Sequence, residues 1–398
     1  MFQTTRRVAV MALACGAAAA FAQSGGEIRI AHVYSKTGPL EAYGKQTHVG
    51  LMMGLNYATG GTMMVGGKKI VVIEKDDQGK PDLGKSLLAA AYADDKADLA
   101  IGPTSSGVAL AMLPVAEEYL KILLVEPAVA DSITGDKWNK YIFRTGCNSS
   151  QDAISNAVAL DKAGTTIATL AQDYAFGRDG IKAYKEALAK ANPKAKIVHE
   201  EYVATNTTDF TAPAQRLFDA LKDKPGRKVI VMIWAGAHPM TKIADLKPER
   251  FDIELAPGGN ILPVMKGWKN YGGVEGSIYY YYGFPKNKIN DWFVAEHQKR
   301  YKSPPDFFTA GGFAAASAVV GALTKAGSAD TEKLIAAMGG MEFDTPKGRM
   351  AFRKDDHQAM QAMYHFRIKK AQANEWDLLE LVREIPAAEM PIPVRNKR

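Results

Sequence analysis

Residues 28–44 read IRIAHVYSKTGPLEAYG, and this stretch decides the class of fold. The apolar run from Ile28 to Val33 predicts a β-strand, and Gly38-Pro39 marks the turn that follows it. A helical pattern then extends from about Tyr43 to Ala58. A strand, a turn and a helix in this order form the first half of a βαβ unit.

The same alternation continues along the chain in two series. The first series reaches the strand Ile122–Val125, whose continuous apolar run is typical of a strand buried on both faces. The second series begins with a helix at Ile154 and runs to a strand near Phe251–Leu255. Because strands that alternate with helices indicate parallel sheets, we predict two doubly wound parallel α/β lobes.

The C-terminal third does not begin a third series. It contains a strand-like stretch at 277–281, a long helix at 308–326 and hairpin-like alternation after Phe352. We therefore predict that the chain crosses between the lobes several times, which leaves a cleft lined by loops after the carboxyl ends of strands. The predicted boundaries are 23–146 with 277–345 for lobe 1, 147–276 with 346–390 for lobe 2, and 391–398 for a C-terminal tail.

Residues 1–22 have the pattern of a secretory signal peptide. Arg6 and Arg7 precede an apolar stretch, and Ala20-Phe21-Ala22 places small residues at the A-x-A positions, so cleavage is predicted before Gln23. Lipid attachment at Cys15 is a minor alternative, because the usual leucine three positions earlier is missing. The chain is therefore expected to be exported.

Charge and cysteine content exclude several classes of protein. The 50 Lys and Arg against 43 Asp and Glu give a net charge of +7, and removal of the signal peptide lowers it to +5. No basic run with interleaved aromatic residues occurs, so nucleic-acid binding is not expected. Cleavage would also remove Cys15 and leave Cys147 alone, so the exported chain has no intramolecular disulfide.

Sequence patterns of enzymes and metal sites are also absent. The seven histidines are scattered, without the H-E-x-x-H pattern of zinc proteases. The serines of the Gly102–Gly107 segment do not have the G-x-S-x-G spacing of a hydrolase nucleophile, and no phosphate-binding glycine loop occurs. We therefore predict no catalytic residue, no cofactor and no metal.

Several short segments, in order, resemble the type I periplasmic solute-binding proteins of the leucine/isoleucine/valine-binding family. No single segment is decisive, but together their order and spacing cover essentially the whole mature chain. The segments are Ser35–Gly44, Asp76-Asp77, Ile101–Ser106, Glu126–Ala128, Tyr141–Thr145, Asp173–Gly177 and Asp344–Gly348.

The resemblance implies two α/β lobes that close on a small carboxylate ligand and deliver it to the membrane permease of an ABC transporter. It also implies a periplasmic location and a monomeric protein without enzymatic activity. Two other functions stay open: a ligand-sensing module of the same fold that acts on a receptor, and a secreted α/β enzyme.

The loop after the third strand is the first candidate part of the site. Ser105 and Ser106 lie where a strand meets a helix, and free N–H groups at a helix N-terminus favour a carboxylate. The family uses this loop to hold the ligand carboxylate, although ordinary helix capping by serine is the alternative. By the same resemblance, the backbone of Ala128, Val129 and Ala130 supplies further donors.

Asn148 lies where branched-chain amino-acid binders carry an aspartate for the ligand ammonium. An amide cannot neutralise an ammonium group, and burial of an unpaired charge is costly. No second acid occurs around Ala256–Gly259, so the acidic clamp is predicted to be absent, unless Glu126 or Asp173 replaces it.

Aromatic residues are abundant near the predicted cleft. We predict ligand contacts from Tyr43, Phe176 and Trp234, and from Tyr281 within the run Tyr279–Tyr282, although core packing is the alternative for each. A carboxylate loop, a missing ammonium clamp and aromatic walls favour an organic acid, whereas the family favours hydrophobic amino acids. The ligand class therefore stays open between the two.

Overall fold

Strand β1 (Glu27–Tyr34) is the third of six strands in the sheet that organises lobe 1. The computed structural model describes residues 26–160, 164–191 and 194–396, so the predicted signal peptide lies outside the described residues. The sheet order is β2-β3-β1-β4-β5-β6, with β2 antiparallel to β3 and every other neighbouring pair parallel. The remaining elements are α1 (Glu41–Ala58), β2 (Met64–Val65), β3 (Lys68–Asp76), α2 (Pro81–Ala93), β4 (Leu99–Ile101), α3 (Ser106–Glu118), β5 (Ile122–Val125) and β6 (Ile142–Arg144).

Lobe 2 is organised by a second parallel sheet, in the order β10-β9-β7-β8. Both sheets are wound by helices between successive strands, which confirms the predicted fold class. The elements are α4 (Ser149–Ala159), β7 (Thr166–Gln172), α5 (Ala175–Ala191), β8 (Lys196–Val203), α6 (Thr211–Leu221), β9 (Lys228–Ile233), α7 (Met240–Asp245), β10 (Ile253–Ala256) and α8 (Leu262–Lys266).

The C-terminal third adds helices and two three-stranded antiparallel sheets, in the orders β11-β15-β16 and β12-β13-β14. Sequence patterns indicated the hairpin character but not the pairing, because β11 pairs with a strand far along the chain. The elements are β11 (Glu275–Ile278), α9 (Lys288–Tyr301), α10 (Phe307–Ala326), α11 (Thr331–Met338), β12 (Glu342–Thr345), β13 (Gly348–Phe352), β14 (Ala359–Met360), β15 (Met363–Ile368) and β16 (Leu379–Ile385).

Strand pairing places two crossovers later than the predicted boundaries. Strand β11 shares the sheet of β15, so the chain leaves that sheet after Ile278 rather than before residue 277. Strands β13 and β14 share the sheet of β12, and Met350 and Phe352 belong to the same buried cluster as Ile30 of lobe 1. The difference arises because hydrogen-bond partners distant in sequence, and not local pattern, decide which lobe a short strand joins.

Helices α1 and α10 pack closely in lobe 1. A Cβ on Gly50 would lie 1.8 Å from the Thr309 carbonyl oxygen, and one on Gly312 would lie 2.0 Å from the Thr47 carbonyl oxygen. Both positions therefore need glycine for the helices to approach. Helix α10 is long and apolar enough to cross a membrane, but most of it is buried inside the protein, as in a core helix.

Candidate functional site

A cavity of about 140 Å³ lies between the two lobes. The loops that follow β4, β5, β7, β9 and β10 supply part of its lining, so the carboxyl ends of both parallel sheets face it, and helices supply the rest. Ligands of open α/β sheets bind at such ends. This cavity is therefore the candidate ligand site, and it brings together six predicted residues: Tyr43, Ser106, Ala128, Val129, Phe176 and Trp234.

Ser106 opens helix α3 and lines the cavity. Its Oγ accepts hydrogen bonds from the N–H groups of Val129 (3.3 Å) and Ala130 (3.1 Å). A serine hydroxyl has one donor hydrogen and two acceptor lone pairs. Because both lone pairs are occupied, the hydroxyl hydrogen is left as the group that can be donated to an anion at the positive end of the helix.

The neighbouring loop positions differ from expectation. Ser105 is the N-cap residue of α3, makes no side-chain capping bond and does not line the cavity. Ala130 does not line it either, and the N–H groups of Val129 and Ala130, which we expected to face the ligand, are bonded to Ser106 instead. Thr104, which sequence reasoning missed, does line the cavity, and its Oγ1 accepts from the Ser35 N–H.

Arg144 supports the Ala128–Ala130 loop through buried hydrogen bonds. Its guanidinium is fully buried and donates to the Ala130 carbonyl (2.7 Å), to Thr134 Oγ1 (2.6 Å) and to Gln358 Oε1 (2.5 Å). Burial lowers the pKa of Arg144 to about 10, so it stays charged at neutral pH. Arg144 therefore ties this loop to Thr134 and to the connection between β13 and β14.

Asn148 caps helix α4 and does not line the cavity. Its Oδ1 accepts from the Gln151 N–H (2.8 Å), and Gln151 Oε1 accepts from the Asn148 N–H (3.0 Å). This reciprocal pair is a capping box. The Asn148 side chain, which we expected beside the ligand, is therefore hydrogen-bonded to its own helix. The spacing of a capping residue and a glutamine three positions later was the sequence signal for it.

The acidic side chain in the site is Asp152, on the first turns of the same helix. It lies deep in the protein and keeps partial exposure where it lines the cavity, and Cys147 Sγ donates to its Oδ1 at 3.5 Å. Burial raises the pKa of Asp152 to about 7 and raises that of the Cys147 thiol. Glu126 is buried against Thr145 and Asp173 pairs with Arg178, and neither lines the cavity.

Aromatic side chains form much of the remaining wall. Tyr279 lines the cavity in place of Tyr281, whose hydroxyl donates to the Trp376 carbonyl (2.6 Å) and accepts from the Leu378 N–H (3.0 Å). Strand β11 ends at Ile278, so a loop and not strand alternation decides which tyrosine faces the cleft. Sequence reasoning also missed four further aromatic residues of the lining: Tyr174, Tyr184, Phe307 and Phe308.

Tyr43 bridges the lobes at the cavity. Its hydroxyl accepts from the Gly236 N–H (2.8 Å) and donates to Asn260 Oδ1 (3.1 Å), both of lobe 2. Burial raises the pKa of Tyr43 to about 12, so the donor proton is retained. A second bridge joins Ser132 to Asp179 Oδ2, at 2.9 Å from the backbone nitrogen and 2.8 Å from the hydroxyl. Both bridges hold the lobes together in this conformation.

Known proteins resemble this chain in sequence and in structure. A family model described as periplasmic binding protein matches residues 27–373. A crystal structure described as an ABC-type branched-chain amino acid transporter from Rhodopseudomonas palustris CGA009 is 67% identical, has a TM-score of 0.82, and the match covers 94% of this chain and 100% of that one.

Two more distant relatives carry ligand descriptions. A leucine-, isoleucine-, valine-, threonine- and alanine-binding protein of Pseudomonas aeruginosa is 26% identical, with 86% of this chain and 90% of that protein covered. A solute-binding protein of an ABC transporter from Rhodopseudomonas palustris BisB5, solved with 3,4-dihydroxybenzoic acid, is 26% identical with a TM-score of 0.79, and 92% of this chain and 99% of that one are covered.

Proposed function

The chain belongs to the periplasmic binding protein family, and we propose that it is the extracytoplasmic solute-binding component of an ABC transporter. It captures a small carboxylate, an amino acid or an aromatic acid, as the lobes close, and delivers it to a membrane permease. The observation that carries the proposal is a cavity walled by the strand ends of both lobes and bridged by Tyr43. Opening and closing of such lobes is a hinge motion that a permease can sense.

Six residues are proposed to contact the ligand. Ser106 donates its hydroxyl to the carboxylate, Ala128 and Val129 shape the loop beside it, and Tyr43, Phe176 and Trp234 pack against the rest of the ligand. Ser105, Ala130, Asn148 and Tyr281 are left out of this proposal because none of them lines the cavity. Aromatic walls favour a hydrophobic or aromatic body.

The same proposal includes the location of the protein, its oligomeric state and its need for a cofactor or metal. The mature chain works in the periplasm as a monomer after removal of residues 1–22, and it needs neither a cofactor nor a metal. Among the residues that the structure describes, no group of three His, Cys, Asp or Glu side chains is arranged to hold a metal ion.

Isothermal titration of the purified mature protein tests the proposal. The panel contains the branched-chain and aromatic amino acids together with benzoate and its hydroxylated derivatives. Saturable binding of one member, with a single site per chain, is expected. Failure to bind any small carboxylate, together with the absence of a co-purified ligand in native mass spectrometry, would count decisively against this function.

A further inference from the structure

Asp152 is the one formally charged side chain that lines the cavity, within the part of the chain that the structure describes. No Lys, Arg, His or Glu joins it in the described lining. Its hydrogen-bond partner is the neutral thiol of Cys147, at 3.5 Å from Oδ1. The cavity therefore contains an acid without a neighbouring cation in its wall.

The charged and titratable groups packed around Asp152 are engaged elsewhere. Asp131 accepts both the N–H and the hydroxyl of Ser150, and Arg144 donates to the Ala130, Thr134 and Gln358 oxygens. Strand β15, which packs on α4, carries His365, whose Nε2 pairs with Glu275 at 3.1 Å. Two phenols lie close by, Tyr184 of α5 and Tyr279. Burial raises the pKa of both, and the negative charge of Asp152 raises it further. Lys347, whose Nζ lies 4.6 Å from the centre of the Tyr279 ring, donates to Gln361 Oε1 at 2.7 Å, and Glu126 accepts from Thr145 Oγ1 at 2.9 Å. Each of these groups lies outside a direct ion pair with Asp152.

A ligand carboxylate in this cavity meets a charge conflict. Two like charges in a poorly solvated site repel each other, and one of them is then neutralised by a proton or by a cation. The protein wall offers no cation, so two solutions exist. Either the ligand brings its own donor, an ammonium or a hydroxyl, to an ionised Asp152, or Asp152 carries a proton. The geometry favours the proton, because the one hydrogen bond that the described residues give to the Asp152 carboxylate comes from a weak thiol donor at 3.5 Å, too little to stabilise a buried anion.

We propose that Asp152 is protonated in the complex, that its O–H donates to an oxygen of the ligand, and that the ligand is a small carboxylate anion without an ammonium group. The proposal rests on the proposed function and narrows its ligand class. A pKa of about 7 means that uptake of this proton is inexpensive near neutral pH. The proton comes from solvent as the ligand enters, and both leave together when the lobes open.

Proton uptake fixes the sign of the pH dependence. Because the protonated form binds, the affinity for an anion is constant below the pKa of the free protein and falls above it. With a pKa of about 7, the affinity should fall about 30-fold between pH 6 and pH 8.5. An amino acid whose ammonium pairs with ionised Asp152 would show the opposite slope.

The experiment is titration with 4-hydroxybenzoate and with leucine between pH 6 and 8.5, in buffers of different ionisation enthalpy. We expect 4-hydroxybenzoate to bind with net proton uptake and with an affinity that falls as pH rises. A flat or rising affinity, or tight binding of leucine with proton release, would overturn the proposal while leaving solute binding intact. Failure of the whole carboxylate panel would instead refute the proposed function.

Asp152→Asn sharpens the test, since the amide resembles the protonated acid in shape and can donate a hydrogen bond. This variant should lose the pH slope and bind 4-hydroxybenzoate more tightly than the wild type at pH 8.5. Ser106→Ala is the matched control and should weaken binding at every pH with the slope retained. If the affinity of the Asp152→Asn variant still falls with pH, the proposal is overturned. If that variant does not fold, the pH dependence of the wild-type affinity decides alone.

Discussion

The two walls of the cleft differ in chemistry. In the lobe 1 wall, Thr104, Ser106 and the Ala128–Val129 loop place small residues and hydroxyl groups at a helix N-terminus, and helices α1 and α10 of the same lobe add aromatic rings. The lobe 2 wall carries Phe176, Trp234 and the acid Asp152. The difference lies in the polar groups: lobe 1 offers a serine hydroxyl at a helix N-terminus, which suits a carboxylate, whereas lobe 2 offers an acid, which suits a hydrogen bond with another part of a ligand.

The largest expected effect comes from removal of the support beneath the lobe 1 wall. Arg144→Met leaves the Ala130 carbonyl, Thr134 and Gln358 without their buried partner, so the free energy of unfolding should fall by about 3–5 kcal/mol. Urea denaturation measures this loss. Arg300→Met is the control, because Arg300 forms an exposed helix pair with Glu296 and should change stability far less. Equal losses in both variants would contradict a supporting role for Arg144.

The next effect separates the two serines of the lobe 1 wall. Ser106→Ala should weaken carboxylate binding by about 1–3 kcal/mol, because its hydroxyl is the donor that faces the cavity. Ser105→Ala, one residue away and outside the lining, should leave the affinity nearly unchanged. Calorimetric titration of both variants tests the contrast, and an unchanged affinity for Ser106→Ala would remove Ser106 from the site.

A smaller effect is expected where the two walls meet. Tyr43→Phe removes the bonds to Gly236 and Asn260 that join the lobes, so ligand affinity should fall by about 1 kcal/mol. Tyr281→Phe also loses two hydroxyl bonds, but away from the cavity, and should lower stability without altering affinity. If Tyr281→Phe weakened binding more than Tyr43→Phe, the choice of Tyr43 as the bridging residue would be wrong.

The smallest effect is expected at the predicted ammonium position. Asn148→Asp should change the ratio of leucine to 4-hydroxybenzoate affinity by less than about twofold, because Asp caps a helix as well as Asn does. Titration of both ligands measures the ratio. A strong gain of leucine binding would show that this position faces the ligand after all, and that Asp152 does not define the lobe 2 wall.

Local pattern was sufficient for the fold class and for part of the site. Strand and helix periodicity predicted both parallel sheets, and Ser106, Phe176 and Trp234 could be found because each follows a strand end. Asp152 could not, since it lies inside a helix, where no loop or motif marks which side chain faces a cavity. The sheets that the short strands β11–β16 join could not be predicted either, because β11 pairs with a strand far along the chain and strands of two sheets alternate in this region.

The sequence by itself determined two parallel α/β lobes and a cleft at their strand ends, since hydrophobic periodicity is a local property of the chain. The resemblance to a known family added the prediction of a carboxylate loop, and Ser106 of that loop lines the cavity. Only the tertiary structure decided that Asp152, one turn after the capping residue Asn148, faces the candidate ligand cavity. Which side chain of a helix meets a cavity depends on how the helix packs, and packing is settled by residues from the whole chain.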